Sequence, residues 1–192
     1  MASKKLTNDG KHNDKTIAHC IAHVASLHLH PKNKGGPLKG GSMISITEME
    51  LVAGKGIRGN DRYFDRKTSK GGPSPRQVSL IDRSIIKYHE KQVDNVGCLS
   101  PGTIRSNIET IKSNKDDKNA ETAECPYISL LNKQLQIGNT AVIELTLARS
   151  PCWEMDVISK GLQKSMKGEM QGVLAKVIKS GMIKIGDPIY IV

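Results

Sequence analysis

Residues 141–152 read AVIELTLARSPC, and this stretch decides the fold. Over 141–148, Ala141, Ile143, Leu145 and Leu147 fall on one face, with Glu144 and Thr146 on the other. A period of two marks a strand with one side in a core. The strand stops at Arg149-Ser150-Pro151, because proline fixes φ and removes a backbone donor. Cys152 follows that turn, a placement from which a side chain can project into a cleft. On residue chemistry alone, a buried structural cysteine is the commoner outcome.

Working outward, residues 134–137 form a short strand closed by Gly138-Asn139. A helix is expected over 157–170, weakened by Gly161 and Gly168. The C-terminal part reads as a β-hairpin: 173–178, a turn at Lys179-Ser180-Gly181, then 182–185. Gly186-Asp187-Pro188 turns into a last strand, IYIV. Towards the N-terminus, 21–29 (IAHVASLHL) is a strand, 32–42 a glycine-rich loop, and Ile44 and Ile46 mark a short strand. QVSLI at 77–81 is a strand, followed by a helix carrying Ile85, Ile86 and Tyr88 with Asp82 as its N-cap. Residues 103–108 resume an extended segment, and 112–124 form an irregular polar excursion. Many short strands and few helices give a mainly β (α+β) chain, with a closed or partly closed barrel.

The chain has 192 residues, enough for one domain. Residues 1–16 read as a basic disordered tail and 17–192 as a single domain. The four cysteines are scattered and form no CxxC pair, so a disulfide framework is not indicated. Without a secretory signal, the cytoplasm is the expected compartment. The N-terminal stretch carries Asp9 and Asp14 and no arginine, which makes a poor mitochondrial transit peptide. No apolar run of about 18 residues is present to span a membrane. Net charge is +10, half of it in residues 1–40. One Trp, one Phe and four Tyr offer little stacking surface, and no nucleic-acid-binding signature appears, so nucleic acid is not the expected partner.

Three constellations could carry chemistry. Gly54, Gly56 and Gly59 punctuate AGKGIRGNDRYFDR, which supplies Arg58, Arg62 and Arg66, guanidinium groups suited to bidentate phosphate contacts. No helix-opening GKS or GxGxxG pattern is present, so the alternative is a flexible loop with solvated arginines. Arg76 precedes the QVSLI strand, and Arg105 and Asn107 would share one face of the extended segment, where they could converge at a barrel mouth. The third is Arg149-Ser150-Pro151-Cys152, whose thiolate form could ligate metal. His19, His23, His28 and His30 hint at a zinc or copper site, but no nearby carboxylate or cysteine completes the set.

Taken in order, SLHLHP with GGP, GKGIRGNDRYFDR, RQVSLI, PGTIRSNI, IGNTAVIELTLARSPCW and VLAKVIKSGMIKIGDPI resemble the MOSC family. That family is named for its similarity to the C-terminal part of molybdenum cofactor sulfurase. The resemblance implies a small stand-alone member with a barrel like the inserted domain of pyruvate kinase. It also implies a cleft for the pyranopterin molybdenum cofactor, with Cys152 as catalytic group and metal ligand or as sulfur carrier. Arg58, Arg62, Arg66, Arg76, Arg105 and Asn107 are the implied cofactor-binding residues. Two positions depart from the family pattern: Asn60 stands in place of a glycine before Asp61-Arg62, and Ser106 stands where a carboxylate is usual.

The implied activity is reduction of N-hydroxylated compounds, with electrons from an external reductase, since the chain shows no flavin, haem or iron–sulfur motif. The alternative is a non-catalytic or persulfide-based cofactor or sulfur carrier served by a sulfurase. Pyridoxal phosphate enters only as a family-level association, because the chain has no room for a sulfurase domain. Oligomeric state is left open.

Overall fold

The computed structural model describes residues 19–30, 43–60, 63–93, 97–113 and 125–192. The expected tail (1–16), the glycine loop at 32–42 and residues 114–124 of the excursion expected over 112–124 lie outside the described residues.

Eleven strands follow one another as β1 (Cys20–Leu29), β2 (Ile44–Ile46), β3 (Glu48–Val52), β4 (Gly56–Ile57), β5 (Val78–Asp82), β6 (Ile108–Lys112), β7 (Gln134–Ile137), β8 (Ala141–Ala148), β9 (Val173–Lys179), β10 (Gly181–Lys184) and β11 (Pro188–Ile191), counted among the described residues. Seven of them close a ring in the order β11-β7-β8-β9-β5-β6-β1, with β1 pairing back to β11. Closure leaves no free edge in that ring, which is how an all-β core avoids presenting unpaired backbone. Helix α1 (Arg83–Gln92) is the crossover that lets β5 and β6 run parallel, and the other ring pairings are antiparallel. Asp82 caps α1 by accepting from the Ser84 amide at 2.9 Å, as the sequence indicates.

Alternation explains the core. Val24, Leu27, Leu80, Ile108, Leu135, Ile143 and Val177 are buried inside the ring strands. Each such aliphatic stabilises the fold by roughly 1.5–3 kcal/mol relative to exposure. A second sheet, β10-β3-β4, packs against β8 and β9 of the ring. Gln77 joins the two: its Nε2 donates to Gly54 O at 2.7 Å, and its Oε1 accepts from Val177 N at 2.8 Å.

Four expectations are corrected. First, β9 and β10 do not pair as a hairpin; β10 instead runs antiparallel to β3, a strand absent from the sequence reading. Second, Leu147 leaves the buried face and is exposed, because the β8–β9 register shifts between Leu145 and Leu147. Such a bulge reverses which way the following side chains point. Third, the helix expected over 157–170 is two short ones, α2 (Glu154–Ile158) and α3 (Leu162–Ser165), broken at Gly161 with φ +92°. Fourth, the extended segment expected over 103–108 is displaced: 103 and 104 continue the turn, Arg105 takes a left-handed φ of +60°, and the strand runs Ile108–Lys112.

Candidate functional site

A cleft of about 250 Å³ opens where the ends of β1 and β8 meet the segments leading into β5, β6 and β9. Cys152 lines it and is exposed rather than packed in the core. Pro151 ends the extension of β8, and α2 starts two residues after the thiol. The first helical residue, Glu154, accepts from the Cys152 thiol at 3.8 Å. Its Oε2 also lies 3.7 Å from Arg105 Nε, so a carboxylate sits between the thiol and a guanidinium.

Arg105 is buried, and its Nη2 lies 3.2 Å from His30 Nδ1. The left-handed backbone at Arg105, held by its amide donating to Gly102 O at 2.9 Å, delivers the side chain to the cleft. A non-glycine residue in that region costs on the order of 1 kcal/mol. The His30 ring stands 5.0 Å from that of Tyr63, and both line the same wall.

Arg149 forms part of the floor. Its Nη2 donates to Ile104 O at 3.1 Å and to Arg105 O at 3.0 Å, tying the end of β8 to the turn before β6. Burial pulls this guanidinium down to about 10, against the opposing pull of Tyr63 and Cys152 and with the nearby Arg105 and Arg76 charges acting in the same direction as burial. At neutral pH it still carries its charge. Its Nη1 is buried and has no hydrogen-bond partner among the described residues. The same holds for Oε1 of Gln171, a residue 1 % exposed that also lines the cleft. A buried polar group without a partner costs about 1–3 kcal/mol, so such groups point to a missing companion.

Asn107 lies beneath these groups. Its Oδ1 accepts from Ser79 N at 3.2 Å and Ser79 Oγ at 2.9 Å, while its Nδ2 donates to His28 O at 3.1 Å. The amide therefore clamps β1, β5 and the entry to β6 together. Ser106, which stands where the resemblance leads one to expect a carboxylate, is fully buried and donates to Ile108 O at 3.3 Å.

Of the residues singled out from sequence, Arg66, Arg76, Arg105, Asn107 and Cys152 are brought to one cleft. Arg58 is not among its lining residues: it is exposed, ion-paired with Glu50 and 5.9 Å from the Phe64 ring. Arg62 lies outside the described residues. The sequence reading did not pick out Gln171, Glu154, His30 as a cleft residue, or the floor role of Arg149. Arg149 carried a signal through its place in the Arg-Ser-Pro-Cys run, and His30 through SLHLHP. No helix among the described residues is long and apolar enough to cross a membrane.

A family model described as MOSC domain matches residues 65–190. Among solved structures, the YuaD protein from Bacillus subtilis is similar at 14% identity with a TM-score of 0.65, over 88% of this chain and 94% of that one. YiiM from Geobacillus stearothermophilus is similar at 14% identity with a TM-score of 0.60, over 89% and 75% of the two chains. YiiM from Escherichia coli gives 15%, 0.57, 90% and 70% in the same terms. At these identities the likeness concerns the fold. No curated protein matches the chain in sequence.

Proposed function

The chain belongs to the MOSC domain family, which is associated with molybdenum cofactor binding, and from that premise we propose that its cleft holds this cofactor for the reduction of N-hydroxylated compounds. The observation that carries the reading is an exposed thiol, Cys152, on the same cleft as Arg66, Arg76, Arg105 and Arg149. The donor set suits the group. A thiolate is a soft metal ligand, and guanidinium groups suit a phosphate. Gln171 Oε1 and Arg149 Nη1, which have no partner among the described residues, leave hydrogen-bonding capacity that a polar heterocycle could meet.

When bound, the cofactor would supply two-electron redox chemistry that no side chain provides. The chain's own residues bind and orient. Cys152 contributes the thiolate ligand, held at the mouth by the Pro151 turn. Arg66 and Arg76, both exposed at the cleft rim, are available to a phosphate without costly desolvation in the free protein. Arg105 is pre-positioned by His30 and Glu154, so little side-chain freedom is lost when it meets an anion. Asn107 acts as a positioning residue, its amide being engaged by Ser79 and His28. Electrons come from a separate reductase.

The test is turnover of a hydroxylamine-type or amidoxime substrate by protein isolated from a cofactor-competent cell, with a chemical electron donor. Reduction that depends on Cys152 supports the proposal. Bound molybdenum without turnover points instead to a cofactor carrier, and cyanide-releasable sulfur on Cys152 to a sulfur carrier.

A further inference from the structure

Gln171 and Arg149 are neighbours by construction. The Arg149 amide donates to Gly172 O at 2.9 Å, which fixes the end of β8 against the residue that follows Gln171. Gly172 has φ +81°, and a Cβ there would stand 2.2 Å from Leu80 O, so only glycine allows the chain to pass. This close approach sets where the Gln171 side chain enters the cleft wall. Both residues line the same cavity, and each presents one buried polar atom with no partner among the described residues.

The two unmet atoms are opposite in kind. Gln171 Oε1 is an acceptor and calls for a donor. Arg149 Nη1 is a cationic donor and calls for an acceptor. A carboxylate or phosphate would satisfy Arg149 but would set oxygen against Oε1. An aromatic amine would satisfy Gln171 but would set N–H against the guanidinium. A ring N–H beside a ring C=O satisfies both.

We propose that Gln171 and Arg149 together read a lactam edge of a flat heterocycle lying in the cleft, the ring N–H donating to Gln171 Oε1 and the ring C=O accepting from Arg149 Nη1. A pterin carries such an edge. The proposal rests on the reading of the cleft given above and assigns the residues that recognise the ring rather than the metal or the phosphate. A site built to hydrogen-bond a polar edge rejects analogues that reverse it, because its own buried groups are then left unpaired.

The test uses the full chain isolated from cells that do not make the cofactor, and reads binding by pteridine fluorescence. The two probes are 2-amino-4-oxopteridine, which carries the lactam, and 2,4-diaminopteridine, in which donor and acceptor are exchanged. The wild-type protein binds the oxo compound, and the diamino compound at least about tenfold more weakly. Gln171→Met, similar in volume and without the amide, lowers affinity for the oxo compound about tenfold to a hundredfold and narrows the ratio between the two. Equal affinity of the wild-type protein for both probes overturns the proposal, and this comparison needs no variant to fold. Unchanged affinity for the oxo compound in Gln171→Met overturns it as well. If the wild-type chain takes up molybdenum in a competent cell while Gln171→Met keeps full pterin affinity, this assignment falls and the cofactor reading stands. If the wild-type chain binds neither pteridine nor molybdenum, both fall.

Discussion

Ser79 and Asn107 are joined by three hydrogen bonds: Ser79 N and Ser79 Oγ donate to Asn107 Oδ1 at 3.2 and 2.9 Å, and Asn107 N donates to Ser79 Oγ at 2.9 Å. Both residues are buried, and Nδ2 of the same asparagine reaches His28 O at 3.1 Å. The lock fixes three elements of the barrel directly under the cleft.

Asn107→Ala therefore leaves the Ser79 amide and the His28 carbonyl without their partner beneath the cleft. The expected loss is about 2–4 kcal/mol of unfolding free energy. A urea titration checks this, and a shift of the midpoint below a few tenths of a molar would show that the lock carries no weight.

Arg149→Met keeps much of the side-chain volume and removes the two bonds to Ile104 O and Arg105 O. Stability should fall by about 1–3 kcal/mol, and cofactor retention should fall with it. A variant as stable as wild type that still loses the cofactor would make Arg149 a pure ligand contact. One that keeps the cofactor would remove Arg149 from the cofactor's contacts.

Acid should weaken the fold before the carboxylates titrate. His89 is fully buried, with Nδ1 at 2.7 Å from Ser165 Oγ and Nε2 at 2.7 Å from Met170 O, and burial holds it below its ordinary value of 6.5. His28 is also held down by burial, against the opposing pull of Glu109. A histidine whose folded value is depressed binds its proton more readily in the unfolded chain. Its contribution is intact above the unfolded value near 6.5 and is lost as pH falls below it. The midpoint of thermal unfolding should drop between about pH 7.5 and pH 5.5, and the drop should shrink in His89→Gln. A midpoint that is flat or rising on acidification in the wild-type protein would contradict this.

Local periodicity carried the barrel strands β1, β5, β7, β8 and β9, since each alternates or runs apolar over at least four residues. The Asp82 cap was legible for the same local reason. Pairing was not. Lys179-Ser180-Gly181 looks like a hairpin turn, yet β10 crosses to β3, because the apolar face shared by Met49, Leu51 and Ile183 outweighs the nearer partner. The bulge that turns Leu147 outward leaves no mark in an unbroken alternation. At the site, Cys152 and Arg105 were visible as chemistry in sequence. Gln171 was not, since an isolated glutamine before a glycine says nothing until burial leaves its oxygen unpaired. Arg58 had a persuasive motif, but Glu50 lies beside it on the neighbouring strand pair and holds it at the surface.

Ligation of molybdenum by Cys152 is the step on which the proposed function stands. It is tested most directly by elemental analysis of wild-type protein and Cys152→Ser, both isolated from the same cofactor-competent cell. Wild-type protein should hold up to about one molybdenum per chain and the variant little, and the two should unfold at the same midpoint when both are isolated from cells that do not make the cofactor, because the side chain is exposed. Equal molybdenum in the two proteins would contradict it.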